Sequence, residues 1–370
     1  MLNHLAIAQQ VHHYLVQQHW QGDQLRGPDP GIRLNYRIGR FIKSYLAHLP
    51  WRDDLYYLQG QGYWLLGNLA LWQRTGDPAY RAIAVACANS MLAAQRPDGA
   101  WDYPNPEWRG RVATAEGTWG CLGLLEAYRQ LRDPAYLHGV LQWHEYLINI
   151  IGFQQQGDTL AINYFANRDQ HRVPNNSIIV LRFLAELSDV TGDATFLAPT
   201  AGLLNFIRSV QKPTGEFPYM VGNAANPTYQ RPHFQCFQYN AFACLDFIRY
   251  YQLTGDSQLL PIIHKVIDFL RTGVSADGHL DYQCGNPHRA VTYHAAAAAA
   301  TFHQAALLGI PNCAPLAEQM YQYVLSQQRP AGDFVYSRRD YGFLSDQRSY
   351  PRYLAMILYH LLVPEVVCVS

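Results

Sequence analysis

Apolar and polar positions along this chain come in long alternating blocks, and one block sets the pattern. From Arg96 to Asp133 a polar loop with turn residues (Pro97, Asp98, Gly99, Pro104, Pro106) and aromatics (Trp101, Tyr103, Trp108) gives way to apolar positions at mixed three- and four-residue spacing. Trp119, Leu122, Leu125, Ala127 and Leu131 predict a helix from about Ala113 to Arg132. It ends in charge, and Asp133-Pro134 stops and restarts the chain. The same sentence closes at Asp77, Asp193, Asp256 and Gly309, and a last copy, RSYPRYLAMILYHLL, runs toward the C-terminus. Each closed copy is followed by a second amphipathic helix: Ala79–Gln95, Pro134–Ile150, Ala194–Gln211, Ser257–Arg271 and Cys313–Gln328. An arginine opens each copy (Arg52, Arg111, Arg172, Arg231, Arg289 and Arg348), at intervals of 58 to 61 residues.

The two helix types differ in how apolarity is distributed. Helices after each arginine are small or aromatic almost all round (Gly62, Trp64, Gly67; Trp119, Gly120, Gly123; Ala295–Ala300), which suits burial on every side. The intervening helices carry a one-sided stripe and suit an outer shell. Residues 1–20 read as a helix, 21–36 as a turn-rich approach, and Ile38–His48 as a further helix serving as outer partner of the last hairpin. Six hairpins with buried helices inside and amphipathic ones outside predict an all-α fold, an (α/α)6 toroid, as one domain over residues 1–370, with 1–50 completing the ring. Beta-branched alternation is nearly absent, so no sizeable sheet is expected. Tight TGD turns join inner to outer helices, whereas loops of about 15–20 residues lead back inward, so the long-loop face is the expected site.

Composition narrows the function classes. The 370 residues carry zero formal net charge and 15% charged residues, so nothing draws the chain to nucleic acid or an anionic membrane. The N-terminus lacks a charged segment, apolar core and small-residue cleavage site, and no apolar run approaches spanning length, so a cytoplasmic protein is expected. Seven cysteines, spread mostly along helices, fit reduced thiols better than a disulfide framework.

Four or five positions past each arginine the repeat stops repeating. The first turns of the inner helices read Tyr56/Tyr57, Ala115/Glu116, Asn176/Ser177, Gln235/Cys236, Tyr293/His294 and Arg352/Tyr353. Uniform packing would have kept one residue type; a ring of specialised side chains lining a pocket would not. The competing reading is ordinary capping of helix N-termini. If the ring closes, the arginines sit near its mouth and would attract carboxylate or phosphate groups; the structural reading is that they cap outer helices or pair with loop acids such as Asp53, Asp169 or Asp340.

The TGD turns with loops reading PDGAWDYP and PTGEFPY resemble the six-hairpin toroids of carbohydrate-active enzymes, most of all toroids linked to exopolysaccharide biosynthesis. QGQGYWLLGNLALWQRTGD is similar to the helical domain of glucuronyl C5-epimerases. The resemblance implies a carbohydrate-active enzyme on an acidic, uronate-containing glycan, of lyase or epimerase type. The first-turn set supplies the groups for it: His294 or His233 as base, Tyr293 and Tyr239 as hydroxyl acid–bases, and Glu116 as the sole acid. Arg352 with Tyr353, Asn176, Gln235 and Arg289 would hold the substrate, and Trp101 with Asp102 would contact it from the loop. Glycoside hydrolysis would instead pair Glu116 with Asp102 or Asp281. An isoprenoid-processing toroid, for which no DxDD motif is present, and a non-catalytic glycan-binding module are the other readings. Cys236, Cys284, His288 and His294 fall near neighbouring inner-helix starts, but no CxxC or HExxH strengthens a zinc site. No metal or cofactor is expected.

Overall fold

The computed structural model describes residues 4–30, 42, 46, 53–105, 108, 110–166, 171–231, 236–284, 286–340 and 344–363. Among these, twelve α-helices form two concentric rings. The inner ring is α2 (Leu58–Thr75), α4 (Thr114–Leu131), α6 (Pro174–Thr191), α8 (Cys236–Thr254), α10 (Thr292–Leu307) and α12 (Pro351–Leu362). The outer ring is α3 (Pro78–Ala93), α5 (Pro134–Tyr146), α7 (Thr200–Val210), α9 (Leu260–Arg271), α11 (Cys313–Ser326) and α1 (His4–Gln18). Each inner helix packs on the next, and α12 packs on α2, so the ring closes. Helix α1 packs outside α12 and completes the sixth hairpin. That place was expected for Ile38–His48, which lies outside the described residues apart from two isolated positions.

All-round burial separates the rings as expected. Tyr63, Trp64, Leu65 and Leu66 occupy four consecutive positions of α2 and all are buried, as are all six alanines from Ala295 to Ala300 in α10. No polar face remains on such a helix, so only a ring position satisfies it. Glycine sets the closest inner contact. A Cβ on Gly62 would stand 2.5 Å from the Trp119 carbonyl oxygen, and one on Gly123 would stand 3.1 Å from Gly62, so α2 and α4 meet backbone to backbone.

The TGD turns work by division of labour. Thr75 Oγ donates to the Leu71 carbonyl and accepts from the Asp77 amide; Gly76 takes the left-handed conformation that ends α2; and the Asp77 carboxylate accepts from the Ala79 amide, capping α3. Asp133, Asp193 and Asp256 cap the following segments in the same way. The predicted helix Ala194–Gln211 departs from the pattern: a short 3₁₀ turn, Ala194–Leu197, precedes α7, because Pro199 cannot donate and disfavours helix in the residue before it.

The long loops hold the only sheet among the described residues, four two-stranded antiparallel hairpins. They are β1–β2 (Phe153–Gln156, Thr159–Ile162), β3–β4 (Met220–Val221, Gln230–Arg231), β5–β6 (Asp281–Gln283, Asn286–Ala290) and β7–β8 (Ser337–Asp340, Leu344–Asp346). Single bridges tie successive loops together (Ala113 with Phe165, Arg172 with Val221, Val291 with Ser337), making a belt around the inner-helix N-termini. No described helix is long and apolar enough to cross a membrane.

Candidate functional site

A cavity of about 460 Å³ opens at the long-loop end of the ring. A short sequence device builds its wall. In four loops the chain reads glycine, any residue, apolar, any residue, tyrosine: Gly99 to Tyr103, Gly215 to Tyr219, Gly278 to Tyr282 and Gly332 to Tyr336. Each glycine has a positive φ (+87°, +104°, +85° and +96°) and backs onto a carbonyl oxygen of the neighbouring outer helix, where a Cβ would stand 2.1–2.7 Å away. Extended backbone after the turn then sends alternate side chains to opposite sides. Trp101, Phe217, Leu280 and Phe334 go into the core, at 1–5% exposure, and the tyrosines two positions on line the cavity. Eight tyrosines line it among the described residues.

Trp101 is therefore not a sugar-stacking platform. Its indole Nε1 donates to the Met91 carbonyl at 2.8 Å inside the core. Asp102, the alternate residue, is exposed and paired with Arg96 at 3.0 Å, outside the cavity. Asp281 is off the wall too, with Oδ1 3.4 Å from His279 Nε2. Neither carboxylate pair foreseen for hydrolysis is assembled.

The first-turn positions fare better. Glu116, Asn176, Tyr293, Arg352 and Tyr353 all line the cavity, as do Tyr239 and Arg289. The N-cap residues Tyr57, Ala113, Val173, Val291 and Tyr350 make no side-chain cap bond to their own helices. His233, Gln235 and the arginine Arg52 lie outside the described residues. Of the remaining arginine series only Arg289 reaches the cavity, its guanidinium 4.3 Å from the Tyr282 ring centre. Arg111 and Arg172 lie over Phe165 and Phe206, and Arg231 over Tyr219. His294 is displaced from its expected role. It is fully buried behind the wall, edge-on to Tyr293 and stacked on Tyr282, and both ring nitrogens lack a hydrogen-bond partner among the described residues. Burial, reinforced by Arg289, drives its pKa well below the usual imidazole value, so the ring is neutral.

Charge in the cavity centres on Arg352. Its guanidinium is 2.8 Å from the buried Asp29 carboxylate, donates to the Tyr353 hydroxyl, stacks 4.0 Å from the Tyr57 ring centre, and approaches Glu116 Oε1 at 3.8 Å. Its Nε has no partner among the described residues. Glu116 accepts from the Gln59 amide at 2.9 Å, using the open N-terminus of α2. Burial raises the Glu116 pKa above the ordinary carboxylate value, opposed by Arg352 and the Gln59 amide. Burial likewise keeps Tyr353 protonated, with Arg352 opposing. Asn176 and Gln238 also line this cavity, with Nδ2 and Oε1 buried and without hydrogen-bond partners among the described residues.

A second carboxyl, Asp246 on α8, reaches the cavity from below, which the sequence reading missed. It pairs with Arg182 at 2.9 Å, and burial pushes its pKa up to about 6. The signal was present: an acid and a base flanked by apolar residues midway along two inner helices. Trp119 and Phe242 form the floor, shared with a second cavity of about 360 Å³ at the opposite end of the ring. Among the described residues no three metal-ligating side chains converge.

No protein-family model matches the chain, and no curated protein is similar to it in sequence. Solved structures are informative. Cellobiose 2-epimerase from Bacillus thermoamylovorans B4167 superposes with a TM-score of 0.77 over 98% of this chain and 99% of that one, at 14% identity. The fold is the (α/α)6 toroid. A glycosyl hydrolase family 88 protein from Bacteroides vulgatus superposes at TM-score 0.65 over 97% of each chain, with 12% identity. A polysaccharide lyase does so at 0.66 over 97% of this chain and 96% of its own, with 10% identity. At such identities the likeness establishes the architecture and leaves the chemistry to the site.

Proposed function

We propose that this toroid is a carbohydrate-active enzyme that moves a proton at a sugar carbon, of lyase or epimerase type, with an acidic glycan as substrate. One observation carries the reading: Glu116 and Tyr353 flank the Arg352 guanidinium on the cavity wall. A carboxyl with a raised pKa is suited to take a proton, and a hydroxyl held protonated is suited to give one. Between them, the Arg352 guanidinium would hold the oxygen on which negative charge develops. The tyrosine wall offers faces on which a sugar ring stacks. The similar structures, an epimerase and a polysaccharide lyase among them, make carbohydrate the natural substrate class.

Asp246 supports one alternative, hydrolysis by Glu116 with Asp246, since both carboxyls reach the cavity. Mass spectrometry of products from uronate-containing and neutral oligosaccharides separates the three outcomes. Epimerisation leaves the mass unchanged, elimination cleaves without adding water, and hydrolysis adds one water per cleavage. Hydrolysis products would overturn the proton-transfer reading.

A further inference from the structure

Cys236 opens α8 and Cys284 follows β5, 48 positions further on, yet their sulfurs lie 2.9 Å apart. The Cys284 amide also donates to the Cys236 sulfur at 2.9 Å, so the two segments already meet sulfur to sulfur. We propose that Cys236 and Cys284 are a reversible dithiol–disulfide pair, oxidised by a hydroperoxide, that covalently ties the β5–β6 hairpin to the head of α8 beside the cavity. This goes beyond the proposed activity and does not depend on which sugar is processed.

The pair is placed for this chemistry in a way the other described cysteines are not. Cys284 is half-buried, and the hydrogen bond from Cys236 lowers its pKa, favouring the thiolate. Cys87, Cys121 and Cys244 are buried, and burial raises their pKa values; Cys313 is raised by the same cause. The Cys284 thiolate attacks one peroxide oxygen, the O–O bond breaks, and a sulfenic acid and hydroxide result. The Cys236 sulfur then attacks the sulfenic sulfur: the S–S bond forms, the S–O bond breaks, and the oxygen leaves as water once protonated. Two thiols and one hydrogen peroxide thus give one disulfide and two waters, with two electrons passing from sulfur to peroxide. A dithiol reductant reverses the step by exchange.

The consequence reaches the cavity from both ends of the bridge. The hairpin carries Tyr282 and Arg289 onto the wall, and the first turn of α8 carries Gln238 and Tyr239. Oxidation therefore fixes two wall segments relative to one another, and by closing a long loop it constrains the unfolded chain.

The test treats the full chain with hydrogen peroxide, blocks remaining thiols with iodoacetamide and maps peptides without reduction. A Cys236–Cys284 cross-linked peptide, lighter by two hydrogens and abolished by dithiothreitol, is expected, with a higher melting temperature that returns on reduction. C236S should lose the cross-link and leave Cys284 as a sulfenic acid trapped by dimedone. C284S should lose the cross-link and leave Cys236 unreactive. Full alkylation of both thiols after peroxide in the wild type, or bridging to another cysteine, would overturn the proposal. So would a melting shift that persists in either variant. The wild-type map decides the matter even where a variant fails to fold.

Discussion

Replacing Arg182 with methionine should destabilise the protein strongly at neutral pH and much less in acid. Arg182 on α6 is 11% exposed in its side chain and donates to Asp246 at 2.9 Å. Glu186, one turn further on, also accepts from Arg249 at 2.8 Å and meets Arg129, so it keeps partners when Arg182 goes. Asp246 is 4% exposed and has Arg182 as its one ion-pair partner among the described residues, so the loss falls on Asp246. Removing one side of a buried pair costs ~3–5 kcal/mol while the other stays charged. Burial has already raised Asp246 to about 6, with Arg182 pulling the other way. Near pH 5 (about one unit lower) the carboxyl is mostly protonated even in the wild type, and the loss shrinks to a hydrogen bond and packing, ~1–2 kcal/mol. The sign follows from linkage. A carboxyl with a folded pKa above its unfolded value binds more protons when folded, so stability falls as pH rises from the ordinary aspartate value of 3.8 through about 6. Without Arg182 that window extends upward. Urea denaturation of wild type and variant at about pH 5 and about pH 7.5 measures the difference directly. An equal loss at both values would refute the reasoning. So would an Arg182→Met/Asp246→Leu double variant no more stable than the single one at the higher pH.

Three further outcomes follow from the packing and the wall. Gly117→Ala should lower stability by ~1–3 kcal/mol in denaturant titration, because a Cβ there would stand 2.3 Å from the Trp143 ring. Trp101→Phe should cost ~1 kcal/mol through the lost bond to the Met91 carbonyl while leaving substrate KM unchanged, since Trp101 faces the core. Tyr353→Phe should lower kcat by roughly 10²–10⁴ with a normal melting temperature, since it removes the hydroxyl beside Arg352 and little else.

The sequence carried the architecture because both halves of each hairpin announce themselves. Helices apolar all round, such as α2 and α10, can only be inner, and each TGD turn supplies its own C-terminal glycine and N-cap aspartate. The first-turn positions were readable for the same reason: where a strict repeat breaks into Glu116, Asn176, Tyr293 and Arg352, packing is no longer choosing the residue. His294 misled because first-turn membership fixes height along the axis but not the angle around the helix; a residue next to Tyr293 points behind the wall. Trp101 misled by a single position: the alternation that starts at Gly99 sends it into the core and Tyr103 to the cavity. The pairings of Arg352 with Asp29 and of Arg182 with Asp246 span 323 and 64 positions, and no local pattern encodes contacts of that range.

The central claim is that Glu116 moves a proton between a bound sugar and solvent. Incubating the protein with uronate-containing oligosaccharides in deuterated water and following the sugar protons by NMR tests it most directly. With wild type one ring C–H signal should be lost, replaced by deuterium where the product is an epimer and by a C=C bond where it is an elimination product. The rate should rise with pH along an acidic limb lying above the ordinary carboxylate value, since burial raises the Glu116 pKa and the base must be ionised. Glu116→Gln, whose amide oxygen can still accept from the Gln59 amide, should abolish both the loss of that C–H signal and that limb. Turnover that leaves every ring C–H bond intact, with neither deuterium on carbon nor a new C=C bond, or either product surviving Glu116→Gln, would contradict the account.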